Sequence, residues 1–273
     1  MNKKKTDLKD IDCFLLDMDG TIYLDMDLID GTLEFLAELK KQGKRAMYIT
    51  NNSARTAGEY VEKLKILGIS ATTEDFFTSA NAIVYFLNKM NQGKKLFVIG
   101  TPALENYLAG CGYTIIKTYE EEPEKRPDFV LLGFDMTVTF EKLRIACDYL
   151  REDVRYLATH PDMVCPAAKG HVFPDAGSFM KLIEGTTGRL PELIAGKPDP
   201  CMINIICEKH GYDKKRVAVV GDRLNTDIMA GVNAGITTIC VLTGETTTEQ
   251  LKTSDVHPDY VVNSIKDVWE AIR

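Results

Sequence analysis

The fold is decided by the stretch Phe14-Leu15-Leu16-Asp17-Met18-Asp19-Gly20-Thr21 near the N-terminus. Its apolar part is short and rich in large side chains, which is typical of a buried strand. Gly20 then indicates a sharp turn of the backbone where the strand ends. In open parallel α/β sheets, ligands bind at the carboxyl ends of the strands. Asp17 and Asp19 are therefore expected where such proteins carry out chemistry.

The carboxylates of Asp17 and Asp19 are separated by a single residue. Like charges this close repel each other, and either a bound divalent cation or a proton on one carboxyl relieves the repulsion. Either solution would give the pair a role in catalysis. The alternative is an acidic turn without chemistry, because Asp and Gly are ordinary turn residues.

The composition of the 273 residues is that of an ordinary globular protein, with 45% hydrophobic and 27% charged residues. A net charge of −7 argues against a nucleic-acid surface built on general basicity. No apolar stretch approaches the ~18 residues that a membrane span needs, and the N-terminus lacks the apolar region of a signal peptide. The seven cysteines are scattered and form no CxxC pair, which is typical of reduced thiols. We therefore expect a cytoplasmic protein with no nucleic-acid or membrane partner.

Short apolar strands alternate with amphipathic helices along the chain, and the joins between them are short. This alternation predicts an α/β fold with a doubly wound parallel sheet and helices on both faces. In the middle of the chain the alternation of strands and helices continues, but the predicted strand ends no longer carry clusters of polar side chains. We therefore expect a core formed by residues 1–79 and 179–273, with a smaller inserted α/β domain at residues 80–178.

Polar side chains also follow three later strands of the predicted core. The set comprises Thr50, Asn51, Asn52, Lys197, Asp222 and Asp227. The hydroxyl and amide donors after the second strand suit phosphate oxygens, and the lysine supplies a cation. Oxygen ligands from several carboxylates suit Mg²⁺. Together these groups predict a site for a phosphoryl group, whose oxygens need charge neutralisation and positioning.

This arrangement resembles the haloacid dehalogenase-like (HAD-like) hydrolase superfamily. Residues 17–21 match its first motif, residues 50–52 its second, Lys197 its third, and residues 221–227 its fourth. Within the superfamily, the second and fourth motifs are similar to those of the NagD/4-nitrophenylphosphatase-like subfamily. The resemblance implies a Rossmann-like core and a cap domain, inserted at residues 80–178, that helps to choose the substrate.

The resemblance further implies Mg²⁺-dependent hydrolysis of small phosphate monoesters through an aspartyl-phosphate intermediate. Substrates of the sugar phosphate, nucleoside monophosphate or 4-nitrophenyl phosphate type are expected. The implied partner is thus a small phosphorylated metabolite, and a homodimer formed through the cap is compatible with the subfamily.

The resemblance also implies a role for each matching residue. Asp17 would be the nucleophile, and Asp19 would act as general acid and then as general base. Lys197 would neutralise the charge of the nucleophile and the phosphate. The implied metal ligands are Asp17, Asp19 through its backbone carbonyl, Asp222 and, directly or as an orienting group, Asp227. The candidate phosphate- and substrate-binding residues are Thr50, Asn51, Asn52, Lys197 and His160.

Alternatives remain for two residues and for the function. Asp227 also suits a helix-capping role, because Asp is common in the first turn of a helix. His160 is either a substrate contact from the cap or a structural loop histidine. A phosphotransferase would use the same residues with an acceptor in place of water, whereas a phosphometabolite-binding protein would need no catalysis. The binding protein is disfavoured because Asp17 and Asp19 are both catalytically competent aspartates.

Overall fold

The structure is a computed structural model that describes residues 6–166 and 171–273. The strands are β1 (Cys13–Leu16), β2 (Tyr23–Leu24), β3 (Asp27–Leu28), β4 (Arg45–Thr50), β5 (Phe76–Thr78), β6 (Lys95–Ile99), β7 (Thr114–Ile116), β8 (Phe129–Leu132), β9 (Arg155–Ala158), β10 (Val164–Pro166), β11 (Val172–Pro174), β12 (Leu193–Ile194), β13 (Val217–Gly221), β14 (Thr237–Val241) and β15 (Tyr260–Val262). The α-helices are α1 (Thr32–Lys41), α2 (Ala57–Ile66), α3 (Ser79–Met90), α4 (Pro102–Gly110), α5 (Phe140–Arg151), α6 (Ala176–Thr187), α7 (Cys201–His210), α8 (Met229–Ala234), α9 (Thr248–Thr253) and α10 (Ile265–Ile272). Within the described ranges, no helix is long and apolar enough to cross a membrane.

The chain forms two compact units. The first unit comprises Met1–Thr50, Ala57–Phe77 and Lys197–Arg273, and the second comprises Asn51–Thr56 and Thr78–Gly196. Each unit contains a sheet whose strands have helices between them in sequence. The α/β architecture predicted from the alternation of apolar patterns is confirmed.

The first unit is built on a six-stranded sheet with the order β15-β14-β13-β1-β4-β5. Strand β1 lies between β13 and β4 and pairs with both in parallel, so that Leu16 faces Val220 on one side and Tyr48 on the other. All four residues of β1 are buried, as expected of a central strand covered on both faces. The parallel register brings the carboxyl ends of β1, β4 and β13 to the same edge, where polar residues follow each strand.

Helix α1 packs on this sheet through one face. Leu33 does not belong to that face, since it is 44% exposed. The buried face instead contains Phe35 and Leu39. The Phe35 ring meets the ring of Phe14 edge-on at 5.3 Å. The aromatic contact with β1 thus sets the rotation of the helix, because it buries more apolar area than Leu33 would.

The second unit has its own five-stranded sheet, with the order β12-β9-β8-β6-β7 and parallel pairing throughout. Its core includes Phe97 and Tyr156 from the sheet and Tyr149 from α5. Strands β10 and β11 form a separate antiparallel pair.

The bounds of the second unit differ from the domain bounds expected from the sequence. Residues 51–56, 78–79 and 179–196 belong to the second unit rather than the first. The last of these segments belongs there because β12 pairs with β9, with Leu193 opposite Leu157. The assignment of the two units as catalytic core and substrate-selecting cap remains a prediction.

Candidate active site

Asp17 is placed by the strand that precedes it. Its backbone N–H continues the parallel ladder by donating to the carbonyl oxygen of Val220 at 2.9 Å. Three residues later the chain turns at Gly20, where φ is +83°, a backbone conformation that favours glycine. The predicted position of Asp17 at the carboxyl end of a buried strand is thus the observed one.

Lys197 lies between two carboxylates of the first unit. Its Nζ donates to Asp17 Oδ1 at 2.6 Å and to Asp227 Oδ1 at 2.5 Å, and it also lies 3.3 Å from the carbonyl oxygen of Ile49. The lysine side chain is only 3% exposed. Burial disfavours the ammonium ion, but the carboxylates of Asp17 and Asp227 outweigh that effect and raise the pKa of Lys197. Lys197 is therefore a buried cationic group directed at Asp17.

Asp222 follows β13 and is buried. Its Oδ2 accepts a hydrogen bond from the backbone N–H of Glu245 at 2.8 Å. Its Oδ1 is also buried and has no hydrogen-bond partner among the described residues. A buried carboxylate oxygen without a donor is costly, so its presence points to a ligand that would satisfy it.

Asp227 reaches the same place through an unusual turn of backbone. Residues Leu224–Ile228 form a π-helical turn that leads into α8, and the N–H of Ile228 donates to the carbonyl oxygen of Arg223 at 3.2 Å. Turns of this kind are frequent at functional sites. The Asp227 Oδ2 accepts from the N–H of Arg223 at 3.3 Å, so the carboxylate caps this turn while its other oxygen holds Lys197. Both roles weighed from the sequence, helix capping and orientation within the site, are thus compatible with the observed contacts.

The three carboxylates of this edge crowd one another. One oxygen each from Asp17, Asp222 and Asp227 lies within 4.8 Å of the others. Desolvation and the charge of Asp227 raise the pKa of Asp17 to about 6, although Lys197 lowers it in part. Desolvation and the charges of Asp17 and Asp227 raise the pKa of Asp222 to about 8. One lysine therefore does not neutralise the cluster, and the remaining negative charge and the unpartnered oxygen fit a hard divalent cation.

Asp19 lies beside this cluster, and its side chain is exposed. Neighbouring protein nevertheless removes part of its hydration, which raises the pKa of Asp19, while the nearby Lys63 counteracts this effect. The Lys63 Nζ lies 3.8 Å from the centre of the Tyr23 ring, a cation–π contact. A carboxyl group of raised pKa, open to solvent, suits the transfer of protons.

The second motif is divided between the two units. Thr50 is the last residue of β4 and is buried at the same sheet edge as Asp17. In the second unit, Asn51 Nδ2 donates to both carboxylate oxygens of Asp162, at 3.0 and 3.2 Å. The Asn52 side chain accepts from the N–H of Ala54 at 2.9 Å and thereby stabilises a turn. The phosphate-binding roles of these residues remain predictions.

His160 is fully buried in the second unit. Its Nδ1 lies 2.7 Å from Thr159 Oγ1, and its Nε2 lies 2.9 Å from Asp175 Oδ1. Asp175 also caps helix α6 by accepting from the N–H of Ala176 at 2.6 Å. Since both ring nitrogens have protein partners, the geometry favours the structural role that the sequence left open for His160.

The loop after β14 contacts Asp222 through its backbone at two points. Besides Glu245, the N–H of Thr246 donates to the Asp222 carbonyl oxygen at 3.1 Å. The available signal was Gly244, which follows an apolar strand as Gly20 does. Backbone donors leave no side-chain pattern, so the sequence does not reveal their target.

Family profiles and known proteins match most of this chain. A family profile described as haloacid dehalogenase-like hydrolase matches residues 14–114, and a second, HAD-hydrolase-like profile matches residues 194–268. The chain is 36% identical to an acid sugar phosphatase of Staphylococcus haemolyticus over 97% of both chains. The chain belongs to the haloacid dehalogenase-like hydrolases. The predictions of this family, of its NagD/4-nitrophenylphosphatase-like subfamily and of a phosphatase enzyme are confirmed.

Two solved structures have a fold similar to that of this HAD-like hydrolase. The 4-nitrophenylphosphatase of Thermotoga maritima is 45% identical with a TM-score of 0.92, over 97% of this chain and 99% of that one. A glycerol phosphate phosphatase of Mycobacterium tuberculosis, solved in complex with magnesium, is 29% identical with a TM-score of 0.88, over 97% of this chain and 79% of that one. The Rossmann-like α/β fold expected from the resemblance is confirmed, and phosphatases of this family use a divalent metal ion.

Proposed function

We propose that this HAD-like hydrolase is a Mg²⁺-dependent phosphatase that cleaves small phosphate monoesters with Asp17 as nucleophile. One observation carries the proposal: Lys197 Nζ holds the Asp17 carboxylate at 2.6 Å, beside the buried Oδ1 of Asp222, which has no hydrogen-bond partner in the described part of the chain. A nucleophile oriented by a cation and placed next to an unsatisfied metal ligand is the arrangement that phosphoryl transfer requires.

The metal would be held by side chains of the first unit. The proposed ligands are Asp17 and Asp222, with the backbone carbonyl of Asp19 as implied by the family motif. Asp227 is proposed to orient Lys197, because its two oxygens accept from Lys197 Nζ and from the N–H of Arg223. Mg²⁺ bound there would neutralise charge on the phosphoryl oxygens during transfer.

The reaction would proceed in two steps on this chain's own residues. An oxygen of Asp17 attacks phosphorus and the P–O bond to the leaving group breaks, while Asp19 gives its proton to the leaving oxygen. Asp19 then takes a proton from water, which attacks phosphorus, releases inorganic phosphate and restores the Asp17 carboxylate. The raised pKa of Asp19 supports the first role, because it keeps more of the acid protonated. Lys197 holds one Asp17 oxygen throughout and offsets the charge of the incoming phosphate.

The substrates are proposed to be sugar phosphates or similarly small monoesters, since the similar proteins include an acid sugar phosphatase and a glycerol phosphate phosphatase. The second unit would select among them as a cap. All seven cysteines are free thiols, which supports the proposal of a reducing, cytoplasmic environment. A homodimer formed through the cap remains a prediction from the family resemblance.

The test is the release of inorganic phosphate from a panel of sugar phosphates, glycerol phosphate, nucleoside monophosphates and 4-nitrophenyl phosphate. Each substrate is assayed with Mg²⁺ and with EDTA, for the wild type, for Asp17→Asn and for the matched control Asp255→Asn at an exposed site. We expect metal-dependent release in the wild type and the control and none in Asp17→Asn. Release that survives in Asp17→Asn would contradict the nucleophile assignment. Turnover that requires an added alcohol as acceptor would identify a phosphotransferase instead.

A further inference from the structure

The loop that follows β14 makes three contacts with the residues around Asp222. The N–H of Glu245 donates to Asp222 Oδ2 at 2.8 Å, and the N–H of Thr246 donates to the Asp222 carbonyl oxygen at 3.1 Å. Thr243 Oγ1 donates to the carbonyl oxygen of Gly20 at 2.6 Å. The loop is thus attached to both Asp222 and the turn that follows Asp17. We call residues 243–246 the carboxylate clamp.

The clamp approaches Asp222 so closely that its second residue has no room for a side chain. A Cβ on Gly244 would overlap the Asp222 carboxylate. A Cβ on Gly20 would likewise lie 2.6 Å from Asp222 Oδ2, and 3.1 Å from the Gly244 Cα. The carboxylate is therefore packed against two glycine backbones, which leave little room for rotation about its side-chain bonds.

An ion pair connects the clamp to the residue after Asp222. Arg223 Nη2 lies 2.7 Å from Glu245 Oε1, with the arginine side chain 23% and the glutamate side chain 51% exposed. Pairs as exposed as this one contribute little free energy. The ion pair therefore supports the position of the clamp, whereas the backbone contacts and the two glycines supply most of the restraint.

The consequence of these contacts is that the two oxygens of Asp222 have different surroundings. Oδ2 is held by the Glu245 N–H, whereas Oδ1 is buried without a partner in the part of the chain that the structure describes. A ligand carboxylate that is already oriented loses less conformational entropy when a cation binds. Outer contacts that orient metal ligands commonly change metal affinity by about 10–100-fold when they are removed.

We propose that the carboxylate clamp is a positioning element for the metal, which holds Asp222 Oδ2 so that Oδ1 is directed to the cation. This inference rests on the proposed function, since it takes Asp222 as a metal ligand. The clamp residues touch neither substrate nor reacting atoms in this proposal. Glu245 and Thr246 act on Asp222 through their backbone N–H groups, and Thr243 keeps the loop in place through the Gly20 carbonyl. Substitution in the clamp therefore changes the affinity for the metal before it changes the chemistry.

The proposal is tested by measuring Mg²⁺ binding to the full chain without substrate, by calorimetry and by the Mg²⁺-dependent shift of the melting temperature. We expect Gly244→Ala to weaken Mg²⁺ binding by about tenfold or more. Thr243→Val, which removes the hydroxyl but keeps the shape, should weaken it by a smaller factor, and Thr243→Ser should restore it. Glu249→Gln is the matched control, because Glu249 is exposed and its carboxylate accepts a hydrogen bond from Thr248 Oγ1 at 3.0 Å.

A positioning role and a merely structural one give different results. If the clamp positions the metal ligand, phosphate release by the variants recovers at high Mg²⁺, and kcat then approaches that of the wild type. Should Gly244→Ala fail to fold, Thr243→Val and its rescue by Thr243→Ser decide the question. If these variants bind Mg²⁺ as tightly as a wild type that does bind it, the proposed positioning role of the clamp is wrong. An absence of Mg²⁺ binding in the wild type would instead overturn the proposed function, and the clamp with it.

Discussion

Among the residues that the structure describes, two groups of three potential metal ligands occur, one in each compact unit. One of these two groups has the character of a reactive site. In each group the ligand atoms lie within 4.8 Å of one another. The groups consist of Asp17, Asp222 and Asp227 in the first unit, and of His160, Asp162 and Asp175 in the second. Proximity alone therefore does not distinguish them.

The surroundings of the two groups differ. In the second unit, His160 bonds to Asp175 and Asp162 accepts from Asn51, so protein donors satisfy the group. In the first unit, burial and mutual repulsion raise the pKa values of Asp17 and Asp222, and one oxygen of Asp222 has no donor among the described residues. A cluster of ligand residues thus indicates a functional site when charge or hydrogen-bonding capacity is left unsatisfied.

The largest effect is expected from removing the cation of the first group. Lys197→Met leaves the buried carboxylates of Asp17 and Asp227 without their shared partner. Breaking a buried ion pair on one side costs about 3–5 kcal/mol, and the loss of a group that stabilises charge in the transition state lowers kcat by about 10²–10³-fold or more. Denaturant unfolding and phosphate release measure the two effects. If the Lys197→Met protein is active and as stable as the wild type, the first group does not need its cation, and this expectation is wrong.

The next largest effect is expected in the pH dependence of the stability of the metal-free protein, which depends on the carboxylates of the first group. Asp17 and Asp222 have raised pKa values in the folded state, so the folded protein binds protons more tightly than the unfolded chain. The stability they contribute is present at low pH and is lost as pH rises from the ordinary aspartate pKa near 3.8 to about 8. Because protons and cations compete for these carboxylates, Mg²⁺ affinity should rise over the same interval. Melting temperatures at pH 5, 6, 7 and 8, with and without Mg²⁺, measure both trends, and a Mg²⁺ shift that is constant with pH would contradict them.

A smaller effect, and on stability alone, is expected in the second group. His160→Gln disrupts the buried contacts with Thr159 and Asp175 and should cost about 1–3 kcal/mol. The Mg²⁺ shift of the melting temperature should remain that of the wild type. The matched control is His257→Gln, at an exposed position. A raised KM in a His160→Gln protein of normal stability would restore the substrate contact as the correct role.

The smallest effect is expected at the other end of β1. Asp12 precedes the strand that Asp17 follows, and it pairs with Arg216 at the surface. Hydrogen bonding to Arg216 lowers the pKa of Asp12, so its contribution is present above the ordinary aspartate pKa and is lost as pH falls. Asp12→Asn should therefore cost no more than about 0.2–1 kcal/mol at pH 7. Denaturant unfolding at pH 7 and pH 3 would show whether this difference disappears in acid, as expected.

The positions of Asp17 and Asp222 could be predicted because each follows a run of apolar residues that forms a central strand. The contact of Lys197 with Asp17 spans 180 residues. The strand-end pattern placed Lys197 in the same site, and the family resemblance implied that it neutralises the nucleophile. Two features of the structure have no recognisable pattern in the sequence. Strand β12 has two residues, so its pairing with β9 and the resulting unit boundary could not be read from periodicity. The clamp acts through backbone N–H groups, which every residue except proline carries.

The π-helical turn at Leu224–Ile228 has a consequence for how this site can be lost. Such a turn commonly amounts to one residue inserted into an α-helix. Deleting Asn225 would restore α-helical winding and rotate the segment before the deletion by about 100° relative to the segment after it. Asp227 would then no longer be aligned with Lys197, although every functional side chain would still be encoded. Deletion of this one codon would thus inactivate the enzyme as effectively as replacement of its nucleophile. A sequence comparison that checks only whether the functional residues are present would not detect this loss.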